Sequence, residues 1–566
     1  MERRNAIQMF GAGIFGALSS SETRSSFKET AEQGIPFLLP QSFGAKADGK
    51  TLDTVAINTA IHKASAQGGG TVYVTAGTYL CGTIILESRV TLYLEAGAVL
   101  LGSKNVSDYT PQPGPSPHSD AGQLHLIFAR DAEDVTLAGP GKIDGQGPSF
   151  WVPSGRSKLP VEEHWRDVAT YDFKPLPRVS PMLEFVSCKR LRVEQVRIEN
   201  SSGWTMRLIN CDGVVVDGIA IKNPVAGPNV DGIDISNSSN VRIANALIDT
   251  ADDAICLKSE VHNPYSTENI VTRNITVTNC MLSSCCNGFK FGTAGHGGFE
   301  NVLFSNSIIF NNEVDYSERV IAGIAIEVVD GGWAEGIVMT GIRMQRTRTP
   351  IFLRLGNRTP NPDGRAGWMK GVMLSDIHAT GSILTNSITG IPDFNIEDVT
   401  LSNIHIQTEE PGKHEWATRK VPEQVPAYPE ARMFGRLPSY GLYARHVHGL
   451  RLRDLVFETL TSEERPAIQC DDVSDLEISG LRVPQHGTGS AVIALHDTRT
   501  AWLRTGRAPA GVPAYVALSG AITDDILLTE NDLRKATNAV SMTSDVSSSA
   551  ATVAGSNLVV SQKETK

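Results

Sequence analysis

Three carboxylates occupy matching positions in two neighbouring repeats of the sequence. Asp231 is followed by Gly-Ile-Asp-Ile, and 22 residues later Asp253 is followed by Ala-Ile-Cys-Leu, with Asp252 directly before it. If one such repeat forms one turn of a coiled sheet, Asp231 and Asp253 lie on neighbouring strands, about 4.8 Å apart. Three crowded carboxyl groups cannot ionise independently, so the pKa of at least one should be raised.

A protonated carboxyl beside an ionised one suits general acid and base catalysis, and hydrolysis of a glycosidic bond needs such a pair. Two other interpretations stay open on spacing alone: a polar ladder at a corner of the fold, or a calcium site. Simple alternation would turn Asp231 and Asp253 inward with the neighbouring isoleucines. We therefore expect both at a corner just before their strands, facing solvent beside Asp252.

The elements that must hold these acids come from a repeat of alternating apolar residues. Two short strands joined by a polar or glycine break recur, with starts about 23 to 35 residues apart. Copies begin at Leu191, Val214, Val241, Ile275, Val302 and Ile337. One coil cannot bury its apolar face alone, so the coils must stack. The sequence predicts an all-β fold, a right-handed parallel β-helix.

Laying the repeats in register predicts one sheet with three side-chain columns. The inward column contains Ile233, Ile255, Phe289, Ile324 and Ile351. One outward column contains Thr205, Asp234, Cys256, Lys290, Ala325 and Phe352. The other outward column contains Arg207, Ser236, Lys258, Gly292, Glu327 and Arg354.

Other segments are expected to cap the open end of this solenoid and to form loops on its surface. Helical spacing follows Asp53, a candidate N-cap, and stops at Gly68-Gly-Gly70. This short helix would cover the open end, whose edge strands invite aggregation. Proline-rich insertions near 104–122, 148–180 and 409–440 are expected to wall a binding site or to pack on the coil. Their aromatic residues are Trp151, Trp165, Tyr171, Trp416 and Tyr428.

The two ends of the chain differ from the repeats. Arg3-Arg4 followed by a short glycine-rich apolar run resembles a twin-arginine signal, so residues 1–25 are interpreted as an export signal. We therefore expect a periplasmic or secreted bacterial protein, a monomer without stable membrane association. Residues 36–540 are predicted to form the catalytic β-helix, and the Ser-rich residues 541–566 a flexible tail.

Composition limits the partners. The 566 residues carry a net charge of −11, which argues against nucleic acid. An anionic carbohydrate remains compatible, because a basic cleft can lie on an acidic body. The eight cysteines show no paired zinc-type spacing and are expected to be mostly buried small hydrophobic residues.

A histidine in a glycine-rich loop follows two coils after the acids. His296 lies in Gly295-His-Gly-Gly298. A lone histidine is usually structural, but one near an acid cluster gains weight as a group that tunes or orients a carboxylate.

Taken together, these motifs resemble a known family. Asn229-Val-Asp231, Asp252-Asp253 and Gly295-His-Gly297, in this order, are similar to the motifs of the polygalacturonase family, glycoside hydrolase family 28. The segments starting at Ser42 and Gly139 also resemble that pectin-lyase-like β-helix family. The resemblance covers roughly residues 36 to 480.

The resemblance implies inverting, single-displacement hydrolysis of a pectic polysaccharide, with no metal and no cofactor. Asp252 would be the general acid, while Asp231 and Asp253 would hold and deprotonate the attacking water. His296 would support the acid, and Asn229 the geometry of the site. Val230 stands where the family usually has Thr.

A second departure bears on the substrate. The family's Arg-Ile-Lys motif should fall at Ala325-Ile-Glu327, where both basic residues are missing. Glu327 is expected to pair with Lys258 or Arg354 or to bond sugar hydroxyls, while Lys290 can meet a carboxylate. These residues are therefore candidate substrate contacts. A rhamnogalacturonan or other branched pectic substrate becomes more attractive than plain polygalacturonan.

Two alternatives remain from the sequence. A polysaccharide lyase on the same scaffold would use a calcium-binding acid cluster or a basic residue to abstract a proton. A non-catalytic carbohydrate-binding solenoid would use the acids only as a corner ladder.

Overall fold

Parallel strands coil into three long sheets, and the fold is the predicted right-handed parallel β-helix. The computed structural model describes residues 37–113, 123–167, 172–260, 270–311, 320–484 and 489–559. The predicted export signal lies outside these residues. Leu38–Lys566 form one compact unit. None of the helices in the described ranges has the length and apolarity needed to cross a membrane.

Sheet 1 carries the predicted acids at its edge. Its strands before the acids are Ile84–Leu86, Ile127–Arg130, Leu183–Val186 and Met206–Ile209. The strands that follow or adjoin the acids are Ile233–Ser236, Ile255–Ser259, Asn287–Gly295, Val320–Val328, Thr347–Leu355 and Asn386–Thr389. The last strands are the start of Leu442–Thr459, the start of Ile468–Ser479, Ile493–His496, Ala514–Ser519 and Asn538–Met542.

Sheet 2 follows each strand of sheet 1 around a corner. Its first strands are Gly70–Val74, Val90–Leu94, Thr136–Ala138, Arg192–Glu194, Asp212–Asp217, Ser239–Ala244 and Thr272–Thr278. Its middle strands, which continue into sheet 3, are Gly298–Phe310, Trp333–Gln345, Trp368–Ser382 and Ile396–Thr408. It ends with parts of Leu442–Thr459 and Ile468–Ser479, then Arg499–Arg504, Asp524–Thr529 and Ala551–Val553.

Sheet 3 completes each coil. Its separate strands are Asp48–Leu52, Gly77–Cys81, Ala98–Gly102, Lys142–Asp144, Arg197–Glu199, Ala220–Lys222, Leu247–Thr250 and Met281–Ser284. A separate antiparallel pair lies in one insertion, Trp151–Pro153 with Phe173–Pro175. The short 3₁₀ helices are Pro40–Phe43, Val106–Asp108, Gly147–Phe150 and Val161–Arg166.

The core is a set of apolar columns that run through the stacked coils. The predicted inward column is confirmed in full, and each of its side chains is completely buried. Phe289 and Phe304 stack across the interior with centroids 4.6 Å apart. Burial of one such side chain contributes about 1.5–3 kcal/mol, so stacking supplies most of the stability of each coil.

The polar or glycine breaks predicted between paired strands are corners with left-handed backbone. Asn240, Asn274 and Asn301 lie in register with φ of 56°, 56° and 53°. Gly336 and Gly371 continue the column with φ of 65° and 66°. Asn and Gly tolerate this region better than other residues, which explains their recurrence at one point of the repeat.

One strand has a different register from the prediction. Met206, not Trp204, pairs with Ile233, so Arg207 and not Thr205 lies beside Asp234. Residues 203 and 204 belong instead to the preceding corner, where their carbonyls accept hydrogen bonds from the Ser201 hydroxyl. A shift of two residues leaves every side chain on its predicted face.

The N-terminal helix Thr54–Ala66 packs on strands Gly70–Val74, Ile84–Leu86 and Val90–Leu94, as predicted for a capping element. Asp53 occupies the N-cap position, but its carboxylate does not cap the helix. It accepts instead from the backbone N–H groups of Lys46 and Ala47, at 2.7 and 2.9 Å. Asp53 thus ties the preceding loop to the helix.

The strand ladder extends past the boundary predicted at residue 540. Asn538–Met542 pairs with Ala514–Ser519, and Ala551–Val553 pairs with Asp524–Thr529. A second short helix, His414–Ala417, lies in the insertion 409–440.

The asparagine ladder at the corner generates a stability prediction. Asn274 donates to Asn240 at 3.0 Å and accepts from Asn301 at 3.3 Å. Asn274→Ala removes both hydrogen bonds and places alanine, which tolerates left-handed backbone less well than asparagine, at this corner. The free energy of unfolding should therefore fall by about 1–2 kcal/mol. Urea denaturation measures the change. Asn274→Gly, which keeps the backbone relaxed, should lose less, and an Asn274→Ala variant as stable as wild type would contradict the account.

Candidate active site

Asp231, Asp252 and Asp253, called the acid cluster below, lie at one corner of sheet 1. Asp231 precedes strand Ile233–Ser236, and the other two precede Ile255–Ser259, as predicted. The backbone N–H of Gly232 donates to the Asp253 carbonyl at 2.9 Å, and the Asp252 N–H donates to the Val230 carbonyl at 3.0 Å. These bonds stack the two acid-bearing turns directly on each other.

The cluster is more buried than the sequence suggested. Asp231 and Asp253 are each 3% exposed, whereas Asp252 is partly exposed. The expectation that all three face solvent is therefore wrong. The outer face of sheet 1 is covered by inserted segments, since Phe434 and Leu437 pack against the cluster of Cys286, Ala325 and Phe352.

Asp253 is the ionised member of the cluster. Burial alone would raise its pKa, but Lys290 and Lys258 lower it below its ordinary value. The Lys290 Nζ atom lies 3.1 Å from Asp253 Oδ2, and the Asn287 amide donates to Oδ1 at 2.7 Å. The charge of this carboxylate is therefore neutralised and hydrogen-bonded in place.

The pKa values of Asp231 and Asp252 are raised instead of lowered. Burial and the neighbouring charge of Asp253 raise the pKa of Asp252 to about 6. Burial and the charges of Asp252, Asp234 and Asp253 raise the pKa of Asp231 well above its ordinary value. The cluster thus contains one carboxyl group with a lowered pKa and two with raised pKa values, in agreement with the prediction from crowding.

Another buried acid, Asp234, lies next to the acid cluster but is not part of it. Its side chain is completely buried, and Lys258 Nζ lies 3.6 Å from its Oδ1 atom. Burial raises the pKa of Asp234 to about 7 although Lys258 opposes the rise. Lys258 also lies 4.7 Å from the ring centroid of Trp204. Both lysines of the outer face are therefore paired with acids.

Glu327 pairs differently from the sequence expectation. It approaches Lys290, in the other outward column, with Oε2 3.7 Å from Nζ. Burial raises the pKa of Glu327 to about 8, although Lys290 opposes the rise. Arg354 is the register neighbour of Glu327, but its guanidinium donates to backbone carbonyls instead. The strand that carries Lys290 also shifts its register beyond Phe291, where Ser259 pairs with Gly295.

Arg354 is used to hold an inserted segment. Its guanidinium donates to the backbone carbonyls of Gly390, Glu423 and Gln424, at 3.0, 2.8 and 3.1 Å. The side chain is 1% exposed. Arg354 therefore anchors the segment 423–424 over sheet 1.

The two remaining predicted residues lie on either side of the cluster. Asn229 is exposed, has φ of 51°, and lines a small cavity of about 340 Å³ with residues of the 148–180 insertion. The His296 backbone N–H donates to the Ser259 carbonyl at 2.8 Å. Burial opposes ionisation of Asp330, but its bonds to Arg358 lower the pKa of that carboxyl, and the nearby His296 imidazole acts in the same direction.

Sequence reasoning did not assign several residues that contact the cluster. Asn287 bonds Asp253, and Tyr428 from the 409–440 insertion lies over Lys290, with Nζ 5.8 Å from the ring centroid. The Tyr428 side chain is half exposed. The aromatic content of the insertion was the signal for Tyr428, but only the folded chain shows which aromatic reaches the acids. Trp151 is instead buried, and its indole N–H donates to the Ser202 carbonyl.

The structure also bears on the calcium alternative. Among the described residues, Asp252, Asp253 and Cys286 bring ligand atoms within 4.8 Å of one another. Burial and the two acids raise the pKa of Cys286 well above its ordinary value, so its thiol stays protonated. Two carboxylates and a protonated thiol do not fit calcium, which prefers about six to eight oxygen ligands.

Glu327 generates a pH-dependent stability prediction. Its pKa of about 8 in the fold exceeds the ordinary 4.5, so the folded state retains a proton that the unfolded chain releases. The free energy of unfolding should therefore fall as pH rises through this window. Glu327→Gln should flatten the slope between about pH 7 and 8, by up to about 1.4 kcal/mol per pH unit. Urea unfolding at several pH values tests this.

The exposed Glu397→Gln is the matched control for this measurement. It should reproduce the wild-type slope. A Glu327→Gln variant with an unchanged slope would show that Glu327 is already ionised in the fold.

Comparison with known proteins agrees with the geometry. Residues 93–427 match the family Glycosyl hydrolases family 28, and residues 41–106 match Rhamnogalacturonase A/epimerase, pectate lyase-like. A probable polygalacturonase of Vitis vinifera is 27% identical over 384 residues, which are 64% of this chain and 73% of that protein. An endo-polygalacturonase of Pectobacterium carotovorum subsp. carotovorum is 26% identical over 53% of this chain and 78% of its own.

Solved structures show the same fold. A Yersinia enterocolitica family 28 exopolygalacturonase aligns with a TM-score of 0.54 at 19% identity, over 83% of this chain and 78% of that one. A Thermotoga maritima exopolygalacturonase aligns with a TM-score of 0.52 at 22% identity, over 68% and 91%. The family match spans more than half of the sequence, so the chain belongs to glycoside hydrolase family 28, the polygalacturonase family, and is a glycoside hydrolase.

Proposed function

We propose that the protein hydrolyses a glycosidic bond in a pectic polysaccharide of galacturonan or rhamnogalacturonan type by an inverting single displacement. Asp252 is the general acid, and Asp253 with Asp231 holds and deprotonates the attacking water. The observation that carries this proposal is the unequal environment of two adjacent acids: Asp253 is buried against Lys290 at 3.1 Å, whereas Asp252 is partly exposed. The pKa of Asp253 is accordingly lowered, and that of Asp252 is raised to about 6.

The exposure of the acids supports these roles. Asp252 is the partly exposed member, so its proton can reach the oxygen of a leaving sugar. Asp253 keeps its charge beside Lys290 and can accept a proton from water. The hydroxyl of that water joins the anomeric carbon as the bond to the leaving oxygen breaks. Asp231, which retains a proton, is better suited to orient the water by hydrogen bonding.

The charged side chains around the acid cluster support a particular class of pectic substrate. The relatives reported above are polygalacturonases by name, which supports galacturonic acid in the substrate. Lys258 and Lys290 are each occupied by buried acids, and Ala325 adds no cation. A substrate containing neutral sugars or branches therefore fits this face better than an unbranched polyanion.

The other predicted residues take supporting roles in this proposal. Asn229, Lys258, Lys290 and Glu327 contact or shape the bound sugar. His296 supports the acid cluster from the adjacent coil, next to Asp330. Arg354 acts indirectly, by holding the segment that carries Tyr428.

We also propose bacterial export by a twin-arginine signal in residues 1–25, and a monomeric catalytic unit over 36–540. These proposals rest on the sequence pattern, because the signal lies outside the described residues. Export is tested by fractionating cells that express the chain with Arg3 and Arg4 changed to Lys.

Asp252→Asn tests the general acid. The variant cannot donate a proton at this position, so kcat on pectic oligosaccharides should fall by about 10²–10⁴-fold. In the wild type, kcat/KM should decline as pH rises through about 6, where Asp252 loses its proton. Asp525→Asn, at an exposed corner with φ of 57°, is the matched control. Unchanged turnover in Asp252→Asn would contradict the assignment.

The anomer of the first product tests the displacement. One oxygen of Asp252 and one of Asp253 lie within 4.8 Å, closer than the roughly 6.5–9.5 Å typical of inverting pairs. The proposal nevertheless assigns Asp253 to deprotonate water and not to attack the sugar, so NMR of the nascent reducing end should show inversion. Retention would replace the single displacement by a covalent intermediate, and ultraviolet absorbance of an unsaturated product would instead indicate a lyase.

A further inference from the structure

A cationic cavity lies between two of the inserted segments, beside sheet 1. It has a volume of about 590 Å³ and is lined by the 3₁₀ helix Val161–Arg166 and by residues 413–436. This volume is within the range of about 300–1,000 Å³ that is typical of ligand sites. Its aromatic walls are Trp165 and Trp416, both partly exposed.

The charge of the lining is opposite to that of the chain. Five cationic side chains and two carboxylates line the cavity, in a protein whose net charge is −11. The cations are Lys413, Arg166, Arg419, Arg432 and Arg436. Such a local concentration of positive charge attracts anionic ligands.

The cationic side chains of the cavity differ in whether a carboxylate already forms an ion pair with them. Arg436 lies between the two indoles, 5.2 Å from the Trp165 centroid and 5.5 Å from that of Trp416, and pairs with Glu410. Three other cations pair with nearby carboxylates: Arg166 with Glu163 at 2.7 Å, Arg432 with Glu430 at 2.6 Å, and Lys413 with Glu415 at 3.8 Å. Arg419 donates to the Arg436 carbonyl at 3.2 Å, and no carboxylate of the described residues forms an ion pair with it.

Arg419 is therefore the cation best placed to meet an incoming anion. Its side chain is exposed, and an added Cβ at Gly435 would lie 3.3 Å from its Nη1 atom and 3.7 Å from the Trp165 ring. The guanidinium and the indole thus border the same glycine. A planar guanidinium binds a carboxylate through two parallel hydrogen bonds.

The cavity and the acid cluster border the same group of packed apolar side chains. Phe434 lines the cavity and also belongs to the apolar cluster that contains Cys286. Cys286 in turn brings its sulfur within 4.8 Å of carboxylate oxygens of Asp252 and Asp253. The inserted segment 409–440 thus contributes both to the cavity and to the cover of the acids.

We propose that this cavity binds the carboxylate of a uronate residue in the substrate chain, away from the bond that is cleaved. Arg419 binds the carboxylate, and Trp165 packs against the adjacent sugar surface. This inference rests on the proposed function and extends it. Since the lysines of sheet 1 are neutralised by buried acids, recognition of a substrate carboxylate passes to the inserted segments.

Arg419→Gln tests the inference on defined galacturonate oligosaccharides with free or methyl-esterified carboxyl groups. With free acids, KM should rise about tenfold, as expected for loss of a charge-assisted bond, while kcat stays within about twofold. With methyl esters the two enzymes should have the same KM. The increase should also diminish at high salt, where the attraction is screened in the wild type.

Two further variants sharpen the test. Arg419→Lys keeps the charge but not the planar fork, so its KM should lie between those of wild type and Arg419→Gln. Arg507→Gln is the matched control, because this exposed arginine lies in the C-terminal coils and pairs only loosely with Asp532, at 3.9 Å. Its KM should equal that of wild type on both substrates.

Calorimetry separates failure of this inference from failure of the proposed function. The Asp252→Asn variant, alone and combined with Arg419→Gln, is titrated with a free-acid galacturonate oligosaccharide. Wild-type hydrolysis with no effect of Arg419→Gln on KM or binding overturns the inference alone. Binding that depends on Arg419, without any hydrolysis by wild type, overturns the proposed function alone. Equal loss of affinity for free-acid and esterified ligands also overturns carboxylate recognition.

Discussion

The hydrogen bonds between successive coils set the position of every group at the site. Because parallel strands pair residue by residue, a side chain on one coil has a fixed neighbour on the next. The Gly232 N–H bond to the Asp253 carbonyl therefore determines that Asp231 lies against Asp252 and Asp253. Register alone does not fix which neighbours form an ion pair. Glu327 lies beside Arg354 in register but approaches Lys290, whereas the Arg354 guanidinium donates to backbone carbonyls of an inserted segment.

Burial of this stacked corner creates the electrostatics that catalysis needs. Carboxylates close together in water would all remain ionised near neutral pH, with modest repulsion. Under the inserted segments the charged form is disfavoured, and each carboxyl depends on its nearest cation. Direct contact with Lys290 holds a charge on Asp253, whereas burial raises the pKa of Asp252 to about 6 and that of Asp231 well above its ordinary value. Two lysines thereby determine the protonation of a face with five acids.

This arrangement separates cleavage from recognition. Cations that neutralise buried acids are poorly available to a substrate, because a second carboxylate would have to compete with an established pair. The exposed Arg419 of an inserted segment is not restricted in this way, since none of the described carboxylates forms an ion pair with it. The insertions thus have two physical roles: they bury the acids, and they present the positive charge that the sheet keeps internal.

The sequence by itself determined the coil, the columns and the position of the acids, because each depends on a local period that repeats. The side-chain alternation of strands and the Asn or Gly at left-handed corners are read from neighbouring residues. Only the tertiary structure decided the burial of Asp231 and Asp253, the pairing of Glu327, the anchoring by Arg354 and the approach of Tyr428. These features depend on insertions distant in the chain, whose path over sheet 1 follows no repeat, and the desolvation that sets the protonation of the acids exists only once those insertions have folded.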